Sequence, residues 1–236
     1  MIKSLISGAF VAAFTATAAV AAPVIPNDSG EPTLQEILDD ITTSGVGIDV
    51  IDDQITADYF GITGSGGSVS TFVIEITAGA STQSAGIFDK TDPTKRVELF
   101  GGSATTGSQV VVSILLDGSV RVNFADTGID FAGNAFGFFM ETGGGNVFYS
   151  DEALNGGVDR SVIIEGDNDT NVQVGGFAPG LFTDSEYIIA FEDGSDFDFQ
   201  DLVFITESIE PVSEPGLLGL FGLGLIGLGF AARRRG

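Results

Sequence analysis

Two apolar stretches bracket a body that carries all of the chain's acidity. All 33 Asp and Glu residues fall between Asp28 and Glu214, where only Lys90, Lys95, Arg96, Arg121 and Arg160 oppose them. Such a body must bury its apolar residues in one core and display its carboxylates, and 236 residues suffice for one domain of that kind plus terminal segments. Its field repels phosphate backbones, whose binding requires Lys and Arg, so nucleic acid is excluded as a partner. The chain holds no Cys and no His. That removes disulfides, thiol and imidazole catalysis, and most zinc, copper and haem ligation. Any metal is expected to be a hard cation held by oxygen.

Within the body, one stretch has helical spacing. Leu34, Ile37, Leu38 and Ile41 fall at i, i+3, i+4 and i+7, with Thr33 and Glu36 placed for a capping box. Elsewhere the runs are short, β-branched or aromatic, and bounded by Gly and Asp. Strands are expected at 72–76, 110–116, 120–124, 135–140, 161–165, 186–191 and 201–206, with a hairpin turn at Asp117-Gly118. The fold expected is all-β: an antiparallel, jelly-roll-like β-sandwich over 33–206 with one short N-terminal helix and a C-terminal transmembrane helix.

The ends read as export signals. Residues 1–21 combine Lys3, an apolar run and small residues at Ala19 and Ala21, the pattern of a cleavable signal peptide, which makes signal peptidase a partner. Residues 22–32 and 207–215 read as linkers. Residues 216–232 are uncharged and rich in Gly and Leu, long enough as a helix for about 25 Å of bilayer. Arg233, Arg234 and Arg235 follow, so the tail 233–236 is expected in the cytoplasm and the body outside it. Gly222, Gly224 and Gly227 match the dinucleotide pattern G-x-G-x-x-G but lack the strand before and the acid after, so no nucleotide cofactor is expected.

Pro211 to Arg235 resembles the PEP-CTERM sorting signal: Val212-Ser213-Glu214-Pro215, then the apolar run, then the Arg cluster, with Ser213 where the usual motif has Pro. The resemblance implies recognition by an exosortase-type membrane protease or transpeptidase. It also implies transient anchoring through the helix, then delivery to the cell surface or extracellular matrix.

The densest chemistry lies between two apolar runs. Glu192, Asp193, Asp196, Asp198 and Asp201 fall within ten residues and repel one another unless neutralised. Alternation places Phe197 and Phe199 on the core side and Asp196 and Asp198 outward. Five carboxylates supply most of the six to eight oxygens that calcium takes, so these are the expected metal ligands. A second candidate, Asp167, Asp169 and Asn171, starts like an EF-hand loop but has Val172 and Ala178 at positions that need Gly and a bidentate acid. The stretch from Phe136 to Ile209 resembles the DUF4114 domain of exported bacterial proteins, on Phe191-Glu192-Asp193 and on Ser195 to Val203. That family has no established activity.

No nucleophile elbow or phosphate loop occurs in the body, no catalytic residue is expected, and the chain reads as a non-enzymatic surface, matrix or adhesion protein. Two other readings stay open. A carbohydrate-binding module would take extracellular polysaccharide as partner, although Trp is absent. A polysaccharide hydrolase would need two carboxylates at a set separation.

Overall fold

The computed structural model describes residues 23–28, 30–63, 67–75, 82–194 and 196–212. The expected signal peptide with Ala19 and Ala21, the motif residues Ser213, Glu214 and Pro215, the span 216–232 and Arg233, Arg234 and Arg235 lie outside the described residues. Among the described residues no helix is long and apolar enough to cross a membrane.

Helix α1 (Leu34–Ile41) forms where the apolar spacing places it, with Leu34, Ile37, Leu38 and Ile41 buried. Glu36 N–H donates to Thr33 Oγ1 at 3.2 Å and Thr33 N–H donates to Glu36 Oε2 at 2.9 Å, closing the capping box. Strands β1 (Thr42–Ser44), β2 (Phe60–Ile62), β3 (Ser68–Glu75) and β4 (Ser84–Asp89) come next. They are followed by β5 (Asp92–Phe100), β6 (Gln109–Ile114), β7 (Ser119–Val122) and β8 (Ala125–Asp130). The second half adds β9 (Ala135–Glu141), β10 (Val147–Tyr149), β11 (Ser161–Glu165), β12 (Asn171–Val172) and β13 (Gly180–Leu181). Strands β14 (Glu186–Phe191), β15 (Leu202–Glu207) and β16 (Ile209–Pro211) end it.

Among the described residues these strands make three antiparallel sheets. Seven strands run in the order β11-β14-β15-β3-β6-β7-β8 and face six, β16-β2-β9-β4-β5 with β10 also on β9; the third sheet is β1-β12-β13. The two large sheets form a sandwich. Phe138 sits at its middle, ringed by Phe136, Phe60 and Phe204 at centroid distances of 5.6, 5.5 and 5.5 Å. Burying a ring of that size contributes roughly 1.5–3 kcal/mol, so the phenylalanines dominate this layer.

The seven-stranded sheet has a second core on its other side. Tyr187, Ile189, Phe191, Leu202 and Phe204 face the sandwich, while Ile188, Ala190, Val203 and Ile205 pack with the helix residues Leu34 and Leu38. Burial on both faces explains why β11, β14 and β15 read as continuous apolar runs instead of alternating ones. The expected strand 120–124 stops at Val122 because Asn123 and Phe124 turn the chain with φ of 50° and 69°. The segments read as linkers are attached to the body. Ile209, Glu210 and Pro211 pair with Ile62, Gly61 and Phe60, and Gln54 takes both backbone groups of Val24.

At the centre of β4, a Cβ on Gly86 would lie 2.0 Å from the Val97 carbonyl oxygen and 2.8 Å from the Phe139 ring. The Val97 carbonyl is backbone and cannot yield without parting β4 from β5. Gly86→Ala is expected to cost about 1–3 kcal/mol, the usual range for overpacking. A lowered urea midpoint with an unchanged slope would register it, and a midpoint equal to wild type would refute the close approach.

Candidate functional site

The acidic residues sit in the connection between β14 and β15, two strands buried on both faces and flanked by neighbours in the sheet. The connection is not an extended strand. Phe197 and Phe199 both adopt φ of 57°, a left-handed conformation that costs bulky residues of the order of 1–3 kcal/mol each. Three contacts offset that strain. Phe199 is buried in the second core, the Arg160 guanidinium lies 5.0 Å over the Phe197 ring, and the Asp198 and Phe199 N–H groups donate to Glu192 Oε2 at 3.0 and 3.4 Å.

The left-handed residues cancel the expected alternation. The aromatics do pin the loop, with their rings 6.3 Å apart, but Asp198 turns inward to 2% exposure while Asp196 stays exposed. Glu192 is 0% exposed, and Asp201 is buried as well. Two overlapping triads result: ligand atoms of Glu192, Asp196 and Asp198, and of Glu192, Asp193 and Asp201, lie within 4.8 Å of one another. All five carboxylates singled out in the sequence are therefore brought together, with Glu192 common to both groups.

Among the described residues, Arg160 is the cation that hydrogen bonding and ring contact bring to the loop. Arg160 gives an Nη1 hydrogen to the carbonyl of Gly194, and that group is neutral. Backbone donors do part of the work: Gly194 N–H donates to Glu192 Oε1 at 2.7 Å and Asp193 N–H to Asp201 Oδ2 at 2.6 Å. Burial first, and the charges of Asp196 and Asp198 after it, raise the Glu192 carboxyl above its ordinary range. Burial and the charges of Asp193, Glu192 and Asp198 push Asp201 up to about 8, against the Asp193 N–H that favours its ionised form.

Several neighbours had no signal in the sequence. Gln200 Nε2 donates to Asp198 Oδ2 at 2.8 Å and to Glu31 Oε2 at 3.0 Å. Its Oε1 is buried in a side chain 1% exposed and has no hydrogen-bond partner among the described residues. A buried amide oxygen left so is costly, about 1–3 kcal/mol, and suits a ligand. Gln83 Nε2 donates to Asp193 Oδ2. Gln200 lies two residues from Asp198, but Arg160, Gln83 and Glu31 meet their partners from 34, 110 and 169 residues away, beyond any local pattern.

Burial alone does not make an acid a ligand. Asp89, 1% exposed, accepts from Thr91 N–H and Oγ1 at 2.7 and 2.8 Å and from Ala132 N–H, so it staples a turn. Asp167 does the same, accepting from Asp169 N–H, Thr170 N–H and Thr170 Oγ1 at 2.7, 2.7 and 2.8 Å, while Asn171 enters β12. Among the described residues, carboxylates converge in threes only around Glu192.

Residues 211–235 match the model of the PEP-CTERM protein-sorting motif. Such a motif marks a protein exported to the cell surface and implies processing by an exosortase-type protease. No curated protein matches the chain. Among solved structures, the Chromobacterium violaceum lectin CV2L, in complex with alpha-methyl-fucoside, is similar at 13% identity and a TM-score of 0.30, over 66% of this chain and 98% of that one. The chain is thus an exported surface protein whose matched sorting motif begins at the last strand of an antiparallel β-sandwich.

Proposed function

We propose that this chain is a non-enzymatic component of the cell surface or extracellular matrix, and that the Glu192 loop is a calcium site that rigidifies its body. The sorting motif supports the destination. The metal rests on one observation: Glu192, Asp198 and Asp201 are buried side by side, next to the partnerless Oε1 of Gln200. The donor set fits calcium. Every available ligand is oxygen, from Glu192, Asp193, Asp196, Asp198, Asp201 and Gln200, and a dication offsets charge that backbone N–H groups only share. The resemblance to DUF4114, the jelly-roll strand order and the passage through a membrane-anchored stage at 216–232 belong to the same reading. It assigns no catalytic residue and no nucleotide.

Protons and calcium compete for these carboxylates. The folded Asp201 keeps its proton up to about pH 8, whereas an unfolded chain releases it near 3.9. Its contribution to stability is therefore complete below about pH 4 and lost as pH rises through about 8. In calcium-free buffer the Tm is expected to fall between pH 5 and pH 8, with a shallower fall in Asp201→Asn. Millimolar calcium is expected to raise the Tm more at pH 8 than at pH 5, and Asp198→Asn to lose most of that rise. A Tm indifferent to calcium at pH 8 ends the metal reading.

Processing is tested separately. Mass spectrometry of the protein isolated from a host with an exosortase is expected to find the chain truncated beyond Val212. An intact Arg235 at the surface would refute the sorting role.

A further inference from the structure

Arg160 stands just before β11 and grips the acidic loop at three points. Its carbonyl accepts from Glu192 N–H at 3.1 Å, its Nη1 donates to the Gly194 carbonyl, and its guanidinium lies 5.0 Å over the Phe197 ring. The same guanidinium lies 5.0 Å over the ring of Phe148. Phe148 belongs to β10, where it pairs with Met140 of β9, and it packs against the sandwich core. One side chain therefore joins a loop carried by the seven-stranded sheet to a strand of the six-stranded one.

What the guanidinium touches is informative. Its planar fork suits carboxylates, and five of them stand on the loop it grips. Its hydrogen bond goes instead to a neutral carbonyl, and it lies against two aromatic rings. Paired with the acids, it would compete with a dication for the same oxygens. Held as it is, it leaves those oxygens to the ion and fixes the backbone that carries them. Gly194 follows Asp193, and Phe197 lies between Asp196 and Asp198. Phe197 also holds φ of 57°, a conformation that persists only with outside support.

We infer that Arg160 is a positioning residue for the calcium site, and that through Phe197 and Phe148 it ties the bound ion to the opposite sheet. This rests on the calcium reading above and supplies the route by which an ion in one loop stiffens the whole body. Ordering of the loop by calcium and stacking of Arg160 on β10 are then one coupled equilibrium, and each strengthens the other by the same factor. The sign of the effect separates position from charge. A positive charge near a dication opposes its binding. A residue acting by charge alone would leave calcium bound more tightly once neutralised, whereas a positioning residue leaves it bound more weakly.

Calcium titration calorimetry and amide hydrogen exchange, both on the full-length chain in detergent, test this. Arg160→Met removes the charge and the hydrogen bond, while Phe148→Leu keeps the charge and removes the ring on β10 at a half-buried position. Each variant is expected to weaken calcium binding about tenfold, within the usual range of coupling. In the wild type, calcium is expected to slow exchange at Val147, Phe148 and Tyr149, and in Arg160→Met to leave it unchanged. Wild-type or tighter affinity in Arg160→Met, or exchange of wild-type β10 indifferent to calcium, overturns the tie and leaves the calcium site standing. A fall in Tm that is equal with and without calcium in both variants marks a merely structural residue and overturns it too. No calcium uptake by the wild type removes the site itself, and the role of Arg160 with it.

Discussion

Burial of β14 and β15 on both faces is the constraint on which the rest of the molecule depends. Apolar side chains pointing one way fill the sandwich, and those pointing the other way fill the layer beneath α1. Neither strand can shift register by one residue, because both sets would then exchange places and still have to fit two differently shaped cores. A connection mounted on such strands has fixed ends. That fixity lets it hold two bulky residues in left-handed conformation and three carboxylates out of water, arrangements that a loosely mounted loop would relax.

Much of this architecture was legible in the chain. The i, i+3, i+4, i+7 spacing and the Thr33 and Glu36 pair located α1, and the Asp117-Gly118 turn located the β6–β7 hairpin, where Gly118 has φ of 92°. The five carboxylates were recognisable by density alone. Their orientation was not, since alternation assumes an extended backbone and Phe197 and Phe199 depart from it. Strands such as β5, with its Pro93 and Lys95, carry edge character instead of an apolar run and gave no clear signal. Nor could any local pattern reveal Gln200 against Glu31, a contact between residues 169 positions apart.

The distribution of acids now has a physical division. Most of the 33 serve solubility on a surface with few cations, and several, Asp89 and Asp167 among them, cap turns by accepting backbone hydrogens. The loop between β14 and β15 differs because its acids are withdrawn from water and crowded together. Withdrawal raises the energy of their ionised forms, and so makes the loop responsive to whatever supplies positive charge.

The chain passes from the seven-stranded sheet to the six-stranded one through a single residue, Ser208, with φ of 59°, between Glu207 at the end of β15 and Ile209 at the start of β16. Val212 N–H then donates to the Tyr59 carbonyl at 2.9 Å, at the start of the matched sorting segment. Tension applied at the chain's C-terminal side therefore enters the molecule at Val212, crosses the short strip of pairing between β16 and β2, and reaches β15 in the interior of the larger sheet one residue later. Load falls first on β16, the three-residue margin of the smaller sheet, and a body tethered by that end resists being drawn out only once the pull reaches β15, flanked by β14 and β3.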